Sequence, residues 1–154
     1  MTYAYVGPPE LRSRPAPTGV PVASPADFAA WLAAQTAADL AEPFTFVVMP
    51  DGALRLAPRR SEHVACAGGS DVLSAGEIAF TGGAVREVTN QSTGYCPAAS
   101  SWPAVAAALS RAGLSYPPGF TSALTYRHCP ACAALNVVRD EDYTCAVCGS
   151  ALPL

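Results

Sequence analysis

Four cysteines near the C-terminus form two Cys-x-x-Cys pairs, Cys129 with Cys132 and Cys145 with Cys148, and twelve residues separate the pairs. Each pair can fold as a tight turn that points both sulfurs the same way. Four thiolates arranged in this manner make a tetrahedral Zn²⁺ site. Because four protein ligands leave the metal no open position for substrate or water, the spacing predicts a structural zinc ion.

The residues around these cysteines are typical of a small metal-bound hairpin. Short strands are predicted at residues 135–138 and 143–144, with Asp140–Asp142 as the polar turn that joins them. From Arg127 to Gly149 the pattern resembles the zinc-ribbon family, although Ala133 stands where many ribbons carry glycine. The resemblance implies a closed zinc site made of four cysteines. The iron-binding rubredoxin family shares the paired cysteines but has a longer spacer.

Other residues capable of chemistry lie in the middle of the chain, between positions 61 and 97. A small hydrolase or transferase site would use His63 as base, Glu77 as acid or orienting group and Cys96 as nucleophile. Such a site needs the thiolate within hydrogen-bonding distance of the imidazole. The alternative for Cys96, and for Cys66, is a buried role as a small apolar side chain. His63 and Cys66 alone supply too few ligands for a second metal site.

This middle stretch has a second, fainter resemblance. Residues 63–97 are similar to a β-rich module of bacterial effector and toxin proteins, in which Ala-Gly-Glu and a hairpin precede Asn-x-Ser-Gly-His-Tyr-x-Pro. Ala75–Glu77 and Asn90–Pro97 follow that pattern, but Thr93–Cys96 departs from it and lacks the histidine. The resemblance implies a shared fold and a bacterial origin, and no particular activity follows from it.

Composition excludes several classes of function. The chain has no lysine, which excludes Schiff-base enzymes and nucleotide triphosphatases that need a phosphate-loop lysine. The formal net charge is −3, and zinc on four thiolates would change it to about −5. Since non-specific nucleic-acid affinity is mainly electrostatic, a nucleic-acid-binding zinc ribbon is a disfavoured alternative. Arg55, Arg59 and Arg60 form the only basic cluster, interpreted as a solvated sheet edge or as a contact for an anion or partner.

A zinc deaminase is excluded at its ligands. That class places His or Cys two residues before a catalytic Glu and a proline before its Cys-x-x-Cys pair. In this chain Ala75 precedes Glu77 by two residues, and Pro130 follows Cys129. The second cysteine pair would also close the metal to water.

The sequence shows no signal peptide and no apolar run of the roughly 18 residues that a membrane span requires. Paired metal-spaced thiols without an export signal indicate a reducing compartment. A cytoplasmic protein without a membrane partner is therefore expected.

Hydrophobic periodicity predicts an α+β fold with a mainly antiparallel sheet, two helices and a C-terminal zinc ribbon. The helices are predicted from Ser24 to Leu40 and from Ser100 or Ser101 to Gly113. The predicted hairpins join 44–49 to 53–57 and 77–80 to 84–88, and a strand over 120–126 leads into the ribbon. The organisation is a proline-rich arm at 1–25 with an edge strand at 2–6, an α+β domain at 26–125 and a ribbon at 126–154.

These patterns together favour a zinc-binding, non-enzymatic module that binds a protein partner. The expected contact is the glycine-rich middle stretch or the arginine edge. A small enzyme built on His63, Glu77 and Cys96 is the alternative, and the sequence sets no oligomeric state.

Overall fold

The computed structural model describes all residues from 1 to 154. Its main body is an antiparallel five-stranded sheet in the order β1-β3-β2-β4-β5, and a separate two-stranded sheet pairs β6 with β7. The strands are β1 Val20–Val22, β2 Phe44–Val48, β3 Leu54–Ala57, β4 Ser74–Thr81, β5 Ala84–Val88, β6 Thr125–His128 and β7 Leu135–Val138. The antiparallel α+β fold class predicted from the sequence is confirmed.

Five helices accompany the sheets: α1 Pro9–Ser13, α2 Pro25–Ala33, α3 Ala37–Leu40, α4 His63–Cys66 and α5 Trp102–Arg111. A 3-10 turn at Ala99–Ser101 leads directly into α5. None of these helices has the length and apolar character that crossing a membrane requires.

Strand β2 lies at the centre of the sheet, and all five of its residues are buried. Because successive side chains of a strand point to opposite faces, β2 contributes to two apolar cores. Phe44, Phe46 and Val48 pack with α2 and α5 on one face, while Val47 packs with α4 and the N-terminal segment on the other. The two predicted helices therefore cover one face, and the sequence patterns did not reveal what covers the second.

Both predicted hairpins are present. The first pairs β2 with β3, and the second pairs β4 with β5 through a turn at residues 82–83. Strand β4 begins at Ser74, three residues earlier than predicted, because Ser74–Gly76 pair with β2. A side chain on Gly76 would overlap the carbonyl oxygen of Thr89, so the glycine permits a close backbone approach at this position.

The proline-rich N-terminal segment is not a loosely held arm. Strand β1 pairs with β3 at the edge of the main sheet. Tyr3 exchanges two backbone hydrogen bonds with Val72, and the amide of Val6 donates to Gly94. The predicted edge strand at 2–6 is thus a single bridge. Proline is disfavoured in central strands but is accepted at a sheet edge and in the first turn of a helix, and these are the positions of Pro21 in β1 and Pro9 in α1.

The single helix predicted from Ser24 to Leu40 is two helices. The first helix starts where predicted, because the side chain of Ser24 caps α2 by accepting a hydrogen bond from the amide of Asp27. Thr36 then adopts an extended conformation, and its hydroxyl accepts from the amide of Asp39. This second cap starts α3 and breaks the helix at residues 34–36.

Near the C-terminus the strand pairing differs from the prediction. Strand β7 pairs with β6, not with residues 143–144, and β6 begins at Thr125 where a strand over 120–126 was expected. Thr144 forms an isolated bridge with Ala151 instead. The predicted turn does form, with left-handed φ of 51° and 58° at Asp140 and Glu141.

Candidate metal centre

Two turns of matching geometry hold the four cysteines. In the first turn the Cys129 carbonyl accepts from the amide of Ala133 at 2.8 Å, and the Cys129 amide donates to Ala134 at 2.9 Å. In the second turn Cys145 makes the same two bonds, with the amide of Gly149 at 2.9 Å and the carbonyl of Ser150 at 2.8 Å. Each turn, here called a knuckle, therefore directs its two sulfurs from one rigid backbone frame.

The four sulfurs converge on one point. The Sγ–Sγ distance is 3.5 Å between Cys129 and Cys148 and 3.6 Å between Cys132 and Cys145, and all four sulfurs lie within 4.8 Å of one another. A tetrahedral ion with metal–sulfur bonds of about 2.3 Å would separate its sulfurs by about 3.8 Å. No disulfide joins these cysteines. The donor set and its spacing therefore fit a single metal ion, as the sequence predicted for these four residues.

The site is half exposed, and hydrogen bonds activate two of its four thiols. At Cys132 the amide of Ala134 lowers the pKa, but desolvation and the neighbouring thiols outweigh it and raise the pKa to about 12. Cys129 and Cys145 are buried, whereas Cys132 and Cys148 are exposed. The backbone amides of Cys148 and Val147 lower the pKa of the Cys145 thiol to about 6. The hydroxyl and the amide of Ser150 lower the pKa of Cys148. Because metals bind the thiolate form, these donors favour metal binding.

Asn136 contacts the site and was not identified from the sequence. Its side chain is 7% exposed, and its Nδ2 donates to the Cys145 sulfur at 3.4 Å. The available signal was an amide in the middle of the otherwise apolar strand β7. A buried amide must find hydrogen-bond partners, and the knuckles provide them.

The apolar core of this C-terminal lobe, residues 125–154, is very small. Its buried members are Cys129, Cys145 and Leu152. The amide of Leu152 donates to the carbonyl of Tyr143, so the chain end covers the flank of the lobe. A core of this size does not stabilise a fold without a further crosslink.

A buried amide connects the lobe to the main body. The side chain of Asn90 is fully buried, and it donates to the carbonyls of Pro97 and Leu124 and accepts from the amide of Leu124. The hydroxyl of Tyr126 donates to the carbonyl of Asn90 and accepts from the amide of Ser92. The loop that follows β5 is thereby attached to the segment that enters the first knuckle.

His63, Glu77 and Cys96 line three different cavities. The cavity beside His63 measures about 50 Å³, that beside Glu77 about 220 Å³ and that beside Cys96 about 240 Å³. No hydrogen bond joins any two of these side chains, since His63 bonds Gly76 and the Cys96 thiol donates to the carbonyl of Thr93. Burial lowers the pKa of His63, and the charge of the Glu77 carboxylate raises it in part.

Burial shifts the pKa of His63 and of the two thiols outside the cysteine cluster, Cys66 and Cys96. The Nε2 atom of His63 bonds the carbonyl of Gly76 at 2.9 Å, and burial lowers its pKa. Burial raises the pKa of Cys96 to about 11 and that of Cys66 to about 12. Both thiols are therefore protonated at neutral pH, which is the unreactive state.

The three arginines of the basic cluster have different surroundings in the structure. Arg60 pairs with Asp39 at 2.7 Å, while the neighbouring Arg59 is exposed. Arg55 is partly buried on β3, where its backbone carbonyl accepts from the Cys66 thiol. His128 lies 3.5 Å from the carbonyl of Ala133 and is exposed, beside the first knuckle but not among the sulfurs.

Comparisons with protein families, with curated proteins and with solved structures find no match to this chain. The interpretation of function therefore depends on the geometry of the chain itself.

Proposed function

We propose that the four cysteines bind one structural Zn²⁺ ion and that the chain is a zinc-stabilised, non-enzymatic protein-interaction module. The observation that carries the zinc proposal is the convergence of four sulfurs within 4.8 Å. Zinc commonly takes four thiolates in a closed tetrahedral shell, in which it crosslinks the chain without acting on a substrate. Two knuckles with matched backbone bonds support that role, as does the small core between them.

Support for a protein partner comes from the outer surface of the knuckles. The non-cysteine residues of both turns, Pro130, Ala131, Ala146 and Val147, are exposed and uncharged, and we call them the knuckle face. The Val147 side chain is 74% exposed on a turn that zinc would hold rigid. Exposed apolar side chains on a rigid frame suit an apolar protein surface.

The charges around the site favour a protein over a nucleic acid. The knuckle face carries no arginine, and the metal with its four thiolates would add negative charge there. Asp140, Glu141 and Asp142 extend this negative character to the turn after β7. A phosphate backbone would be repelled by such a lobe. The six unpaired thiols support a reducing compartment.

The enzyme alternative receives little support from the geometry. A cysteine nucleophile needs a lowered pKa and an adjacent base, whereas burial raises the pKa of Cys96 and His63 lines another cavity.

The test compares three zinc-loaded baits: the wild-type chain, Val147→Glu and the matched control Val6→Glu. Val6 is 54% exposed and lies at the opposite end of the sequence. We expect a partner that the wild type and Val6→Glu retain and that Val147→Glu loses, with direct binding then measured by calorimetry on the purified partner. Equal recovery by all three baits, or recovery that nuclease abolishes, would contradict the proposal.

A further inference from the structure

Asn136 uses every hydrogen-bonding group of its side chain on the two knuckles. Its Nδ2 donates to the carbonyl of Ala134 at 3.1 Å and to the Cys145 sulfur at 3.4 Å. Its Oδ1 accepts from the amide of Ala146 at 3.0 Å. One amide thus connects the end of the first knuckle to the second knuckle and reaches a sulfur of the metal site.

The backbone fixes the position from which this amide acts. Asn136 lies in β7 directly opposite Arg127, two residues before Cys129 on the paired strand. Asn136 is 7% exposed, so its three side-chain hydrogen bonds are shielded from water. The pairing of β6 with β7 therefore directs the Nδ2–H group at the Cys145 sulfur.

We propose that Asn136 is a positioning residue of the metal centre. Its amide holds the Cys145 sulfur in the direction of the metal and reduces the negative charge on that sulfur when zinc is bound. This role depends on the proposed zinc site, and it makes Asn136 a residue that sets the affinity of that site for zinc. An N–H donor to an anionic sulfur is a charge-assisted hydrogen bond, which is stronger than a neutral one. Partners of this kind orient metal ligands, and their loss typically weakens metal binding about 10- to 100-fold.

The experiment uses the full chain loaded with Co²⁺, whose sulfur-to-metal charge-transfer band reports the electron density on the thiolates. Asn136→Leu removes the donor and keeps the branched shape, while Asn136→Asp places a carboxylate beside the sulfur. Asn90→Leu is the matched control, because Asn90 is a fully buried amide with three hydrogen bonds that do not involve the metal site. Zinc affinity is measured in parallel by competition with a chelator.

We expect Asn136→Leu to move the charge-transfer band to lower energy, because a sulfur without its donor holds its electrons less tightly. We also expect zinc affinity to fall about tenfold in this variant and about 100-fold in Asn136→Asp. Asn90→Leu should lower the melting temperature and leave both the band and the affinity unchanged.

A band and an affinity equal to the wild type in Asn136→Leu would overturn the inference, as would the same changes in Asn90→Leu. A wild-type chain that binds neither Zn²⁺ nor Co²⁺ would instead overturn the proposed zinc site, so the two failures are distinguished by which protein shows them.

Discussion

Ala133 and Gly149 occupy equivalent positions, four residues after the first cysteine of each knuckle. Both have left-handed backbones, with φ of 62° at Ala133 and 77° at Gly149. A Cβ atom makes this conformation costly by about 1 kcal/mol, whereas glycine adopts it freely. The first knuckle therefore contains backbone strain that the second does not.

We expect Ala133→Gly to stabilise the zinc-loaded C-terminal lobe by about 1 kcal/mol because it removes this strain. Gly149→Ala, the reciprocal control, should destabilise the lobe by a similar amount. Local unfolding free energies from amide exchange of residues 127–152 measure both effects. Destabilisation by Ala133→Gly would show that the methyl group contributes more than its strain costs.

His63 predicts a pH dependence of stability. Burial lowers its pKa in the folded chain, so the unfolded chain takes up a proton first as the pH falls. Its contribution is complete above about pH 6.5, the ordinary histidine pKa, and stability declines below that pH by at most about 1.4 kcal/mol per pH unit. His63→Gln should flatten this decline in zinc-loaded protein. His128→Gln, at the exposed histidine, should retain it, and a decline unchanged in His63→Gln would contradict the account.

The sequence predicted the cluster of four cysteines because two short spacings define it locally. It did not identify Asn136, since that amide reaches Cys145 only after β6 pairs with β7 and the second knuckle folds back. Residue type alone suggested His63, Glu77 and Cys96. Their placement in three cavities depends on the register of the sheet, which a single sequence does not fix.

At the scale of elements, Gly76 marks a close backbone approach between β4 and the residue that follows β5. The amide of Thr89 donates to the carbonyl of Glu77, and a Cβ on Gly76 would overlap the carbonyl oxygen of Thr89. A backbone carbonyl cannot move aside as a flexible side chain can. Position 76 therefore requires glycine.

Gly76→Ala should destabilise the protein by about 3 kcal/mol, since the added methyl group forces the backbone apart. Gly83→Ala is the control, because a Cβ at Gly83 in the neighbouring turn would meet no atom within 4 Å. Denaturant unfolding of the two variants measures the difference. A Gly76→Ala variant as stable as Gly83→Ala would mean that β4 and β5 are packed less closely than described.

Elements with a strong local signal were predicted well, and those that depend on distant partners were not. Alternation and turn residues defined both hairpins, and helical spacing defined α5. Strand β1 has three residues, and it exists because β3 offers it an edge. The pairing of β6 with β7 likewise depends on the fold of the first knuckle. The sequence therefore predicted that residues 143–144 pair with β7, whereas β6 is its partner in the structure.

The whole molecule combines a main body with substantial cores and a lobe with almost none. Two apolar clusters lie on the faces of the five-stranded sheet, while the lobe buries Cys129, Cys145 and Leu152. The Asn90 bonds attach the lobe at its base. Zinc is therefore expected to stabilise the lobe far more than the sheet.

Removal of zinc by a chelator should abolish amide-exchange protection over residues 127–152 and leave strand β2 protected. The lobe would lose its main crosslink, whereas the sheet keeps both cores. Hydrogen exchange with mass spectrometry measures each region, and Cys66→Ala provides a control that removes a thiol outside the site. Loss of protection in β2 equal to that in the lobe would contradict this division.

X-ray absorption at the zinc edge of the purified full chain tests the central claim most directly. The account predicts one zinc per chain with four sulfur neighbours at about 2.3 Å and no nitrogen or oxygen neighbour. A C-terminal lobe that is folded in protein without zinc, or a zinc ion with a water or imidazole among its ligands, would contradict a closed tetrathiolate site.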